Sequence, residues 1–168
     1  MDIKDAILKR RSVRDFKSDH VSDEIIEELL IAAMAAPSAC NKCPWEFYVV
    51  KSEEVLKEVK KASMFSRHNA PLAIVVCGNL KKALPLKMAD YWIHDCSAAT
   101  ENILLRAVDL GLGSCWCGAY PQEKVVERLR KVLNLDNHIV PLNIILLGYP
   151  VKDTTPRSQY VKEKVHYI

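Results

Sequence analysis

Leu72-Ala73-Ile74-Val75-Val76-Cys77 is apolar at every position and rich in β-branched side chains. It lacks the alternation of apolar and polar residues that marks a half-exposed strand, so it reads as a central strand buried on both faces. Upstream, Glu46-Phe47-Tyr48-Val49-Val50 has the composition of a second strand. Downstream, Gly113 to Tyr120 forms a Cys- and Trp-rich third strand with its own loop, and Ile139 to Leu147 a long apolar fourth. Pro141, near the start of the last, is compatible with an edge or a bulge.

Helical patterns separate these strands. Asp2 to Lys9 is a short helix with Ile3, Ala6 and Ile7 on one side. A second is bounded by Ser22 as N-cap, with Asp23 and Glu24 in its first turn and Val21 and Ile26 placed as a hydrophobic staple. It carries Ile26, Leu29, Leu30 and Ala33 at helical spacing and stops before Pro37. Ser52, Glu53 and Glu54 open a third helix running to about Ala62. A long helix is expected over roughly Leu84 to Leu110, closed by Gly111 at C′, with Trp92, Cys96, Ala99, Ile103 and Ala107 at spacings of three and four. Its middle is dominated by small residues, which suits close packing against another helix and a place at a subunit interface. Pro121 is expected in the first turn of a helix reaching about Leu133. Val151 to Ile168 has no strong helix or strand pattern yet ends in Val165-His166-Tyr167-Ile168, so this tail is either disordered or lies on something such as a second subunit.

The chain has 168 residues, 49% of them apolar, which suits one domain with a sizeable core. Its net charge of +3 is local. Met1 to Lys17 holds six basic residues (Lys4, Lys9, Arg10, Arg11, Arg14, Lys17) and three acidic ones (Asp2, Asp5, Asp15), and everything after residue 17 is neutral in sum. A surface for nucleic acid or an anionic membrane is disfavoured, because such proteins carry Lys and Arg stripes well beyond one short segment. The excess points instead at one local anionic partner. No apolar stretch approaches the roughly 18 residues of a membrane helix and no signal-peptide h-region is present, so a cytoplasmic protein is expected. Without a secretory signal, its six cysteines are expected to be reduced.

Three segments carry residues suited to chemistry. In Lys9-Arg10-Arg11-Ser12-Val13-Arg14-Asp15-Phe16 the guanidinium groups offer paired N–H donors that match phosphate oxygens, and the hydroxyl adds a directed donor. The segment reads either as a site for a small phosphorylated ligand or as a solvated helix end whose basic residues complement the macrodipole. Pro37-Ser38-Ala39-Cys40-Asn41-Lys42-Cys43-Pro44-Trp45 joins a helix to a strand through small and polar residues, and such loops bring backbone groups to ligands. Its Cys40-x-x-Cys43 pair admits a redox or zinc reading, but Cys115-x-Cys117 is too close-set to complete a zinc site and no His pair supports one. Inert thiols and no metal are the expectation. Gly111-Leu112-Gly113-Ser114-Cys115-Trp116-Cys117-Gly118 is no dinucleotide fingerprint, because Trp116 stands at the last glycine position and the run enters a strand. A helix C-cap followed by a strand with a bulge at Gly118 accounts for its glycines. No Walker A, G-x-S-x-G or H-E-x-x-H pattern occurs. His94, Asp95 and His166 are read as packing residues and not as catalytic ones.

Together these segments resemble the FMN-dependent nitroreductases. Arg10-Arg11-Ser12-Val13-Arg14-Asp15-Phe16 is similar to that family's R-R-S-x-R-x-F motif. Pro37-Ser38-x-x-Asn41-x-x-Pro44-Trp45 resembles its P-S-x-x-N-x-Q-P-W loop, and Gly111-Leu112-Gly113-Ser114-Cys115-Trp116 its G-L-G-T-C-W segment. Pro156-Arg157 and Val165-His166-Tyr167 resemble its closing signatures, so the likeness spans the chain in order.

The resemblance implies an α+β fold: a three-layer sandwich whose central, mostly antiparallel sheet is flanked by helices, in a homodimer with a domain-swapped C-terminal tail. Residues 1–168 would form one FMN-binding domain, with 151–168 extending over the partner subunit. It further implies that Arg10 and Ser12, helped by Arg11 and Arg157, bind the FMN phosphate, and that Arg14 lies near the pyrimidine edge of the ring system. Pro37, Ser38, Ala39 and Asn41 match the loop that reaches the flavin from the other subunit, and Cys117 and Gly118 fall where backbone N–H groups point at flavin N5. The implied activity is ping-pong hydride transfer from NADH or NADPH through the flavin to a small aromatic acceptor, a nitroaromatic or quinone, with no side chain acting as acid or base. A non-enzymatic FMN-binding module would share the phosphate ligands, and a thiol or metal redox protein would use the Cys pairs instead. Two departures from the family stand out: Cys43 occupies the Gln position of the loop, and no long insertion between Ser63 and Leu84 supplies aromatic residues over the flavin.

Overall fold

The two-sided burial of Leu72–Cys77 is the centre of the architecture. In the computed structural model, which describes residues 1–168 except the side chain of Lys87, this run lies in β2 (Leu72–Asn79), buried throughout. Ile74 and Val76 point into one core and Ala73, Val75 and Cys77 into another, which is why no polar residue alternates along the strand. The other strands are β1 (Trp45–Val50), β3 (Gly113–Gly118) and β4 (Ile139–Gly148). They form one antiparallel sheet in the order β1-β2-β4-β3.

Helices α2 (Asp23–Met34) and α4 (Tyr91–Asp109) cover one face, and α3 (Glu53–Lys61) and α5 (Glu123–Leu133) the other, giving a three-layer α+β sandwich. The short α1 (Ile3–Lys9) packs on α4. Ser22 caps α2 by accepting from the Ile25 N–H, and Val21 and Ile26 meet in the same core. At the far end of α4, Gly111 at φ 76 lets the Gly111 and Leu112 N–H groups close on the Val108 and Ala107 carbonyls, a Schellman cap.

Three local expectations are corrected, and the alternatives left at Pro141 are decided. The long helix starts at Tyr91 and not near Leu84, because Pro85 and Leu86, the latter at φ 57, lead into a separate 3-10 turn over Leu86–Met88. Pro121 precedes the next helix, whose N-cap is Gln122. Of the edge or bulge expected at Pro141 the bulge holds: β4 is interior, and Pro141 sits beside a register shift between Val76 and Cys77 of β2, beyond the stretch of β4 that pairs with β3. No bulge occurs at Gly118, since β3 keeps a regular register with β4 from Gly113 to Gly118.

One close approach fixes the amino-terminal half of α4. A Cβ at Gly78 would stand 2.2 Å from Trp92 Cε3, so the missing side chain is what lets the indole lie against β2. Trp92 in turn meets Tyr120 edge-on with ring centroids 5.2 Å apart.

Candidate functional site

The basic segment that follows α1 runs along the outer edge of β3. Val13 N–H donates to the Ser114 carbonyl at 2.9 Å, Ser12 bridges Ser114 in parallel, and Val13 sits where a Gly113 side chain would be. Asn69 clamps the far end: its Oδ1 accepts from Phe16 N–H at 2.9 Å, and its Nδ2 donates to Asp15 Oδ1 at 3.0 Å and to the Phe16 carbonyl at 2.9 Å. The chain returning from β4 locks the same stretch, with Arg157 N–H donating to the Leu8 carbonyl and Thr154 Oγ1 to the Lys9 carbonyl, both at 2.9 Å.

These backbone contacts bring Arg10, Arg11, Ser12, Arg14 and Arg157 to the walls of one cleft of about 370 Å³. Arg10 Nε lies 3.6 Å from Glu101 Oε1. Among the described residues the other three guanidinium groups pair with no carboxylate. Four guanidinium groups, offset only by Glu101 beside Arg10, focus a positive potential in the cleft, the arrangement of an anion site. Partial burial pushes the Glu101 carboxyl up, and Arg10 pulls it back down.

From Ser114, where Ser12 and Val13 meet it, β3 runs on to Gly118. The Cys115 and Cys117 sulfurs lie 3.9 Å apart on one face, with Cys117 Sγ 3.0 Å from the Phe65 carbonyl oxygen. Their mutual hydrogen bond draws Cys115 down and pushes Cys117 up, and the positive charge of Arg14 lowers both. Backbone groups two residues apart on a strand face the same edge. Ser114 turns its carbonyl outward to Val13, whereas Ala119 N–H bonds Leu142 of β4. Gly118 therefore presents its N–H to the outer edge, and that of Cys117 faces into the sheet, so Cys117 does not fit the donor role expected of it. Nothing stands within 4 Å of a Cβ built on Gly118.

Pro37, Ser38, Ala39 and Asn41 lie elsewhere on the chain. Residues Cys40, Asn41 and Cys43 all occupy the left-handed region, at φ 49, 53 and 45. Ser38 Oγ accepts from Cys43 N–H at 2.9 Å and Cys43 Sγ lies 3.6 Å from Asn41 Oδ1, so the thiol at the family's Gln position is engaged within the loop. The loop meets α4 at Asp95, whose Oδ1 accepts from Ala39 N–H at 2.8 Å. Arg10 meets α4 at Glu101, six residues on and so about 120° away around the helix. A single chain thus presents the cleft and the loop on different sides of α4.

Asn69 and Glu101 have site-supporting contacts that the motifs do not mark, and so has Asp95, read from the sequence as a packing residue. Only Asp95 left a signal, an acid at a buried position of an apolar helical repeat, three residues after Trp92. His94 is exposed, its ring 5.5 Å from that of Tyr91. Cys40 is exposed, Cys43 half-buried, and Cys115 and Cys117 buried. Among the described residues no group of three or more His, Cys, Asp or Glu is placed to hold a metal, and no helix is long and apolar enough to cross a membrane.

A family model for the nitroreductase family matches residues 7–66 and 65–149. The chain belongs to the nitroreductase family. A relative from Methanothermobacter thermautotrophicus, provisionally named NADH dehydrogenase/NAD(P)H nitroreductase, is 38% identical over 99% of this chain and 86% of its own length. The crystal structure of a similarly named protein from Parabacteroides distasonis superposes with a TM-score of 0.92 at 40% identity, covering 98% of this chain and 96% of the other. An FMN-dependent nitroreductase from Clostridium difficile gives 0.87 at 32% identity, covering 96% of each chain. These likenesses agree with the nitroreductase resemblance read from the motifs and with the three-layer α+β sandwich.

Proposed function

We propose that this nitroreductase-family chain is an NAD(P)H-dependent FMN oxidoreductase that reduces a small aromatic acceptor, a nitroaromatic or quinone, by a ping-pong cycle. The observation that carries the reading is the convergence of Arg10, Arg11, Ser12, Arg14 and Arg157 in one cleft. Guanidinium groups bind phosphate oxygens in pairs, and a cleft with four of them against the one carboxylate of Glu101 suits a dianion. Support for the rest of FMN comes from β3, the strand that the basic segment flanks, where Gly118 turns its N–H outward with open space beside its Cα.

In this reading Arg10, Arg11, Ser12 and Arg157 hold the phosphate. Arg14, whose charge is felt at Cys115 and Cys117, faces the pyrimidine edge and stabilises negative charge there. Gly118 N–H orients the ring by donating to it. Bound FMN supplies the two-electron chemistry, accepting hydride from NADH or NADPH and passing it on. Pro37, Ser38, Ala39 and Asn41 complete the site of the opposite subunit of a homodimer, and residues 151–168, mostly exposed on the single chain, extend over that partner. The cytoplasm is the proposed compartment.

The test is the colour of the purified protein and an anaerobic titration. A yellow protein with a flavin spectrum, bleached by NADH or NADPH and recoloured by a quinone, is expected. A colourless protein that takes up no FMN would refute the reading, and a yellow one that neither nucleotide bleaches would be a flavin-binding module.

A further inference from the structure

We propose that Asp95 is a positioning residue for the cofactor: its buried carboxylate tethers the Pro37–Trp45 loop in the conformation that meets FMN. This rests on the FMN role proposed above. Asp95 is 5% exposed and the only acid among the buried residues of α4. Among the described residues no cation pairs with it. A carboxylate so placed costs stability, and a compensating hydrogen bond is required to keep it there. That bond is the one from Ala39 N–H, at 2.8 Å.

The loop needs such an anchor. Cys40, Asn41 and Cys43 hold left-handed backbone without being glycine, a conformation that persists only where the surroundings impose it. The remaining bonds of residues 38–43 are internal: Asn41 N–H to the Ser38 carbonyl at 3.0 Å, Lys42 N–H to the Ala39 carbonyl at 3.1 Å, and Cys43 N–H to Ser38 Oγ at 2.9 Å. Among the described residues, the Asp95 contact alone ties this turn to a helix. An ionised acceptor makes a bond roughly twice as strong as a neutral one. The anchor is itself rigid, since Trp92, one turn earlier, is seated in the space left by Gly78. The geometry therefore gives Asp95 a role at a distance: it touches neither cleft nor ring, and sets the loop that does.

The experiment compares the wild-type chain with Asp95→Ala and Asp95→Asn by amide hydrogen exchange, with and without FMN, and by FMN titration. Loss of a charge-assisted bond predicts exchange about ten- to a hundred-fold faster across 39–43 in Asp95→Ala without FMN, and FMN affinity weakened by a similar factor. Asp95→Asn keeps a neutral acceptor oxygen in place and is expected to lose only part of this, about three- to tenfold on both. Core amides in β2 should exchange at wild-type rates in every variant, which separates a released loop from a loosened fold. If Asp95→Ala does not fold, Asp95→Ser, too short to reach Ala39, takes its place. The inference is overturned if exchange at 39–43 is unchanged, if Asp95→Asn loosens the loop as much as Asp95→Ala, or if the loop loosens while FMN affinity stays the same. Failure of the wild-type chain to bind FMN would instead count against the proposed function, while exchange at Ala39 would still report the tether.

Discussion

At the scale of single residues, Gly118 and Glu101 separate binding from folding. A Cβ at Gly118 meets nothing within 4 Å in the chain itself, and the position is not in the left-handed region. Gly118→Ala should therefore leave thermal stability nearly unchanged. If FMN lies against that open face, the added methyl must meet it, and FMN affinity should fall about tenfold or more, the equivalent of about 1.4 kcal/mol. Equilibrium titration alongside a melting curve checks both halves, and unchanged affinity would move the ring away from β3. Glu101 makes a pH prediction. Its folded carboxyl titrates above its unfolded value because partial burial penalises the charge, with Arg10 compensating only in part. The folded state thus binds more protons in the window between the two values, so stability falls as pH rises through it. The penalty is absent at more acidic pH and complete at neutral pH. Glu101→Gln should accordingly raise the melting temperature at neutral pH and do little near pH 4, measured by paired melts across the range.

At the scale of elements, the contact between α4 and β2 is the most exposed to test. Trp92 occupies the space of the absent Gly78 side chain, 2.2 Å from where a Cβ would stand. Gly78→Ala should cost about 1–3 kcal/mol by overpacking, read as a lowered denaturation midpoint, and Gly78→Ala with Trp92→Phe should recover part of it. A midpoint unchanged in Gly78→Ala would mean that α4 shifts freely. This contact also marks where sequence legibility stopped. β2, the cap and staple of α2, and Gly111 at the end of α4 were legible because each depends on neighbours in sequence or on a simple period. The start of α4 was not, since periodic apolar residues continue past the left-handed Leu86 that interrupts the helix. Pro141 was ambiguous for a tertiary reason: the shift that accommodates it belongs to the pairing of β4 with β2. The same division holds at the site. Arg10 to Arg14 form a visible motif, but the backbone bond that brings Arg157 to Leu8 is long-range, as is the Asp95 contact with Ala39. The edge to which Gly118 and Cys117 turn their N–H groups follows from strand register, which no local pattern encodes.

At the scale of the whole molecule, the proposed function requires that two groups of candidate ligands on different sides of α4 serve one cofactor. Three of the six basic residues of the first 17, Arg10, Arg11 and Arg14, line the cleft, whereas the loop at Ala39–Asn41 is tied to α4 at Asp95. A two-fold dimer resolves this if the loop of each subunit meets the cleft of the other, because an isologous interface places both pairs at once. The consequence is complementation. Arg10→Ala damages a cleft, and Asn41→Ala damages a loop. In a homodimer of either variant both sites carry one damaged half. In a purified heterodimer of the two, shared sites would place both damaged halves together and leave the other site intact. One tightly bound FMN per heterodimer is then expected, while each variant homodimer binds weakly. If cleft and loop of the same subunit formed each site, every site in the heterodimer would be damaged once and no tight binding would return. Differently tagged chains isolated by two affinity steps, with FMN counted against protein, distinguish the two arrangements.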